Sequence, residues 1–146
     1  MASSTLAIEV LQQRYDDAVT ATNGLGIAAR LLEFSPGRLT VTASLDRFVR
    51  PGGTIPGPVQ VTLVDGLSWL LLVAHMPEGA DAYTTDMSVQ FLRAVPLGEV
   101  TATLVIERLG SSRAVVTTVI APLQDPDHAI AHLVLGFALR GNRPSS

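Results

Sequence analysis

The chain has 146 residues, 47% hydrophobic and 16% charged, with a net charge of −3; it fits one domain of the usual roughly 100–200 residues and can fill a sizeable core. Its ten Arg are scattered and it has no Lys and no Cys, which excludes the basic patch that nucleic acid requires, a disulfide framework and a thiolate metal site. The longest unbroken apolar run, Trp69 to Ala74, is six residues against the ~20 that span a bilayer, and MASSTLAIEV lacks the basic start of a signal peptide, so a soluble cytoplasmic protein is expected.

Residues 4–21 place Leu6, Val10, Leu11, Tyr15, Ala18 and Val19 at helical spacing, with Glu9, Gln12, Gln13, Asp16 and Asp17 on the other side. This predicts an amphipathic helix capped by Ser3 or Ser4 and ended by Asn23-Gly24. GIAARLLEF (26–34) and RLTVTASLD (38–46) read as two strands joined by the Ser35-Pro36-Gly37 turn. The Gly- and Pro-rich loop RFVRPGGTIPG then leads into a helix from about Gly57 to Met76. Past Pro77-Glu78-Gly79 come four extended segments, 82–95, 99–109, 113–123 and 128–139. Thr103, Val105 and Glu107 alternate with apolar residues, as in a half-buried antiparallel sheet. Residues 1–3 and 140–146 read as frayed ends.

A helix apolar nearly all round must be enclosed. The only element left to enclose it is one strongly curved antiparallel sheet. The expected class is α+β: a long central helix wrapped by about six antiparallel strands, plus an N-terminal helix, over 1–146 as a single domain. That is the architecture of the hotdog fold. A charged fraction below the ~25% of an average soluble protein predicts apolar surface hidden between subunits, hence a homo-oligomer.

The central helix carries Asp65 among Leu63, Val64, Leu67, Leu70 and Leu71. An ionised carboxylate in such surroundings needs partners or a raised pKa. Thr62, Asp65 and Ser68 are three apart, which places hydroxyls within its reach on one stripe. Gly66 follows it, and a helical glycine, which costs on the order of 1 kcal/mol, suggests close approach by a backbone or a ligand. At the helix start, Gly57 is placed as N-cap and Pro58 as first helical residue. Free backbone N–H groups there, Gly57's included, can stabilise a negative oxygen.

Read together, GTIPGPVQVTLVDGLSW, TTDMSVQFLRAVPLGE and ERLGSSRAVV resemble the PaaI-type branch of hotdog thioesterases, which hydrolyse acyl-CoA. The resemblance covers residues from about 26 to 140. It implies that Asp65 is the catalytic carboxylate, that Gly57 N–H polarises the thioester carbonyl, and that Thr84 holds the attacking water. It implies CoA contacts at Arg93 and at the turn Gly110-Ser111-Ser112-Arg113. It also implies a dimer, often paired into a tetramer, with CoA present only as part of the substrate and no other cofactor.

The chain departs from that branch at three positions. Pro56 stands for the family's His, Pro58 for its second Gly, and Arg50 for an Asn of the preceding loop. Arg50-Pro51-Gly52-Gly53 reads as a replacement loop that presents Arg50 or backbone N–H groups to the ligand. Arg50, Pro58 and Ser68 are accordingly counted with the substrate-binding residues. Gly57 and Asp65 are eight residues apart, or roughly 12 Å along one helix, so they cannot grip one thioester together. Two antiparallel helices related by a two-fold axis pair Gly57 of one chain with Asp65 of the other.

No metal site is expected, because His75, His128 and His132 are too scattered; on a strand His128 and His132 would share a face, but nothing completes a ligand set. Trp69 is expected in the core, and Arg108 and Arg140 at solvated strand ends. The expected function is acyl-CoA thioester hydrolysis, with Asp65 as general base or nucleophile. The alternative is a non-catalytic acyl-CoA-binding module, motivated by Pro56 and the missing Asn. A hydratase would need a helix His a few residues past Asp65, where Leu70 stands.

Overall fold

Period-two alternation builds the sheet. Leu39, Val41 and Ala43 in β2 (Arg38–Ser44), Val100, Ala102 and Leu104 in β4 (Glu99–Leu109), Ala114, Val116 and Ile120 in β5 (Arg113–Pro122), and Leu133, Leu135 and Phe137 in β6 (Ala131–Arg140) are all buried. Each strand thus has one apolar face to cover. In the computed structural model, which describes residues 4–22 and 26–143, these strands join β1 (Arg30–Ser35) and β3 (Asp81–Phe91) in one antiparallel sheet. The order of its six strands is β1-β2-β4-β5-β6-β3.

α2 (Gly57–Val73) covers that apolar face and touches β3, β4, β5 and β6. Its Leu63, Val64, Leu67, Leu70 and Leu71 have no exposed surface. α1 (Ser4–Ala21) packs on α2 and β1. The expected hotdog arrangement is therefore present, a helix enclosed by a six-stranded sheet.

Local departures have local causes. α2 ends at Val73 rather than Met76, because the amides of His75 and Met76 tighten onto Leu72 O and Val73 O. His75 then fixes this end: Nδ1 lies 2.8 Å from Leu71 O, and Nε2 accepts the Gly37 amide at 2.8 Å. An accepting Nε2 puts the ring proton on Nδ1, so a neutral imidazole ties α2 to the β1–β2 turn. On α1 the buried stripe is Ile8, Leu11, Tyr15 and Val19, whereas Val10, expected on it, is 62% exposed. Gln12, expected on the solvent side, instead clamps β1, donating to Ala29 O and accepting from Leu31 N–H. β1 starts at Arg30, with Gln12 binding Ala29 O just before it and Leu31 N–H within it.

β2 stops at Ser44 and gives way to a 3-10 turn, Asp46–Phe48. β3 stops at Phe91, because Leu92 and Arg93 both donate to Ile130 O and leave the ladder. β6 begins at Ala131, so His128 lies in the preceding loop against Asp125 and shares no strand face with His132. The tail expected to fray is held as far as Asn142, which donates to Gly110 O at 2.8 Å. The cap at Ser3 or Ser4, the side chain of Leu6, the Asn23-Gly24 stop and the ends 1–3 and 144–146 lie outside the described residues. No helix among the described residues is long and apolar enough to cross a membrane.

Gly66 faces α1. The Tyr15 ring lies over it, and a Cβ added there would meet Tyr15 Cε1 at 3.6 Å, an ordinary contact. The close approach is thus a side chain of the same chain, not a ligand. Tyr15 is fixed by donating to Ile27 O at 2.6 Å, and burial pushes its phenol well above the usual range, with Asp16 adding to the effect. Gly66→Ala should therefore raise stability by about 0.5–1 kcal/mol through helix propensity; a thermal melt with a lowered midpoint would contradict this placement.

Trp69 is half-buried, not core. Its indole N–H donates to Asp81 Oδ1 at 2.9 Å, and Ala82 N–H donates to the same oxygen. The Trp69 bond holds the Asp81 carboxyl below its ordinary value, against a desolvation that raises it, with the Ala82 amide assisting. A depressed folded pKa means stability that is present above the ordinary value of 3.8 and lost as pH falls through the folded pKa. Trp69→Phe should cost on the order of 1 kcal/mol at neutral pH. In urea titrations across pH, the gap to wild type should narrow only below that value.

Candidate active site

The start of α2 supplies the first group of residues. Pro56, with φ −61° and ψ 141°, is the N-cap. The helix thus begins one residue earlier than expected, with Gly57 first and Pro58 second. Pro58 has no N–H, and Val59 N–H turns back to Pro56 O at 3.2 Å. Gly57 N–H is left as the donor without a partner among the described residues of this turn. The Phe91 ring lies against Gly57: an added Cβ would sit 2.8 Å from Phe91 Cζ and would have to displace the ring. A groove of about 560 Å³ opens here, lined by Ile55, Gly57, Pro58, Gln60, Phe91 and Arg93 among others. Arg93 is held at its rim by donation from Nε to Ala129 O.

The second group lies two turns along. Asp65 is half-buried, and its Oδ1 accepts Thr84 Oγ1–H at 2.5 Å. The expected stripe of Thr62, Asp65 and Ser68 does not hold, because each three-residue step falls about 60° short of a full turn. Thr62 is exposed and donates to Pro58 O, while Ser68 is fully buried without a hydrogen-bond partner among the described residues. The partner of Asp65 comes instead from β3.

A bulge in β3 decides what faces what. The register against β6 shifts between Thr84 and Asp86, with Thr84 opposite Phe137 and Asp86 opposite Gly136. Thr84, Met87, Val89 and Phe91 consequently share the face of the buried Phe137, Leu135 and Leu133, toward α2, and Asp86 is turned to the opposite face. There Thr85 Oγ1 donates to Asp86 Oδ1 at 2.7 Å. Arg113 Nη2 reaches both, at 3.3 Å from Thr85 Oγ1 and 3.6 Å from Asp86 Oδ1.

Arg113 leaves the turn Gly110-Ser111-Ser112, which is closed by Gly110 N–H on Arg113 O and by Leu139 N–H on Ser112 O. Arg50 lies apart from both groups. Its amide and guanidinium both bond Thr54, and positive φ at Gly52 and Gly53 folds the loop back on itself. The structure therefore joins Gly57, Pro58 and Arg93 in one groove and Asp65 with Thr84. It places Arg113 on the far face of the Thr84 strand and leaves Arg50 and Ser68 outside either group.

Three residues of these groups have no place in the sequence reading: Gln60, Phe91 and Asp86. Gln60 had a usable signal, since it stands three, four and seven residues before Leu63, Val64 and Leu67 and so on their buried stripe. Phe91 and the orientation of Asp86 depend on the bulge, which carries no local signature.

Solved structures of like shape include a thioesterase from Haemophilus influenzae, 22% identical over 94% of this chain and 92% of that one, with a TM-score of 0.77. Thioesterase superfamily member 2 from Mus musculus is 19% identical over 94% of this chain and 98% of its own, with a TM-score of 0.79. A Streptococcus mutans protein bound to acetyl CoA is 22% identical over 80% of this chain and 91% of its own, with a TM-score of 0.69. At such identities the likeness establishes the fold. No curated protein matches the chain. The family model of the thioesterase superfamily matches residues 52–125, a stretch that holds Gly57, Asp65, Thr84 and Arg113, and the chain belongs to that superfamily.

Proposed function

We propose that the protein is an acyl-CoA thioester hydrolase of the PaaI-type branch, a single-domain cytoplasmic homo-oligomer whose active sites are shared between subunits. The observation that carries the reading is the Asp65–Thr84 hydrogen bond set beside an unpaired edge strand. Thr84 spends its one proton on Oδ1, so its own lone pairs can receive a water while Asp65 Oδ2 takes a proton from that water. The same carboxylate could attack directly to give an anhydride, and the geometry suits either route. Gly57 N–H, the free donor of a helix start, stabilises the oxyanion. The reaction uses no cofactor beyond the CoA of its substrate.

Gly57 and Asp65 belong to one helix and lie too far apart to act on one thioester, so the second copy supplies the missing half. β3 supports this, with an unpaired edge and with Tyr83, Met87 and Phe91 at 47%, 45% and 51% exposure. Dimers built on this edge, alone or paired into tetramers, complete two sites each. Arg93, Arg113 and the Gly110–Ser112 turn suit the phosphates and pantetheine of CoA, and the acetyl CoA held by the Streptococcus mutans neighbour supports that ligand class. Of the remaining substrate-binding candidates, Pro58 lines the groove, whereas Arg50, turned onto Thr54, and the fully buried Ser68 have no part in the proposal.

One observation favours a second reading, a module that binds acyl-CoA without hydrolysing it. Pro56 at the N-cap removes the His side chain that the resembling enzymes carry there. Thiol release from short, medium, long-chain and aromatic acyl-CoAs separates the two. Hydrolysis should appear in wild type and fall by about 10²-fold or more in Asp65→Asn. CoA binding without turnover on any of these substrates would instead establish the second reading.

A further inference from the structure

Gln60 is 2% exposed, yet its Oε1 has no hydrogen-bond partner among the described residues. A buried amide with an unmade bond destabilises a fold, and a leucine would fill the same stripe without that cost. Gln60 also lines the groove that contains Gly57. Side chains on a helix lean toward its N-terminus, so a residue one turn past Pro56 covers the turn that presents the free Gly57 N–H. Pro56 and Pro58 contribute no N–H to that turn. An oxygen bound there has one backbone donor and lacks a side-chain donor.

We propose that Gln60 is that donor: its amide N–H binds the thioester carbonyl oxygen beside Gly57 N–H and strengthens as the oxygen becomes negative. Among the described residues the enclosed, unpartnered end of that amide is Oε1, so the Nε2 end is the one left to offer N–H to an oxygen in the groove that the side chain lines. Gln60 forms no covalent bond and transfers no proton. It thereby does the work for which Pro56 leaves no side chain. This inference rests on the thioesterase reading for its chemistry but concerns a residue outside it.

The test pairs kinetics with a spectrum. Gln60→Leu should lower kcat by about 10²-fold, the usual effect of losing one oxyanion donor, with KM little changed and the melting temperature level or higher. A glutamine with a merely structural role would give a lowered melting temperature and unchanged kcat. For the spectrum, hexanoyl-CoA and benzoyl-CoA labelled with ¹³C at the thioester carbonyl are bound to Asp65→Asn, with and without Gln60→Leu. The carbonyl infrared band should sit at lower frequency when Gln60 is present, and equal frequencies would overturn the inference. Asp65-dependent turnover with equal bands would sink the role of Gln60 alone. A band shift without turnover in wild type would sink the hydrolase reading alone, and failure of both acyl-CoAs to bind would sink both.

Discussion

α2 has to be taken out of water, and that requirement organises the molecule. Leu63, Val64, Leu67, Leu70, Leu71 and Leu72 have no exposed surface, and each such side chain contributes about 1.5–3 kcal/mol on burial. A flat sheet covers only one stripe of a helix, so the sheet must wrap around α2 and α1 must close part of what remains. Enclosure leaves the helix few places for polar groups. Its first turn is one, where backbone donors lack helical partners. The position of Asp65, against Thr84 of the edge strand β3, is the other. The functional candidates occupy these two outlets because the rest of the helix cannot hold them.

The bulge at Thr85 serves the same constraint from the sheet side. With regular alternation, Asp86 would follow Thr84 onto the α2 face and set a second carboxylate beside Asp65, where like charges at short range raise each other's pKa. One extra residue sends Asp86 to the outer face and brings Met87, Val89 and Phe91 inward. The outer face is prepared for it: a Cβ at Gly136 would overlap the Asp86 carboxylate, and Arg113 supplies a countercharge at 3.6 Å. Phe91, placed inward by the same shift, then lies over Gly57, so a larger residue there would have to push the ring aside. One irregularity in β3 thus aligns both groups of the site.

Most of the architecture was legible in the sequence because period two and period 3.6 are properties of the chain itself. All eight main elements appear in the expected order, with errors confined to their ends. Those ends depend on tertiary bonds: Gln12 on the start of β1, His75 on the close of α2, and Ile130 O on the release of Leu92 and Arg93. Asp65 and Gly57 were legible as a carboxylate in an apolar helix and a glycine at its start. Thr84 was legible only through the family resemblance, and its bond to Asp65 was not, since it is nineteen residues away and only the folded sheet brings it across. Ser68 misled for a geometric reason, because a three-residue spacing drifts around a helix and ends in the core.

The two prolines at the start of α2 change how Pro56 should be weighed. A helix start carries about half a positive charge spread over its unpaired amides. Here Pro58 has none to offer and Val59 turns back to Pro56 O, so the donor of that turn left without a partner among the described residues is Gly57 N–H. The prolines also fix φ on either side of it, which holds the N–H in one direction with little entropy left to lose. A histidine at position 56 would add a side-chain donor but would also bring back a backbone N–H and a mobile φ. With proline at 56 the start of α2 has a rigid backbone and no side-chain donor at that position, and the buried Gln60 lines the same groove.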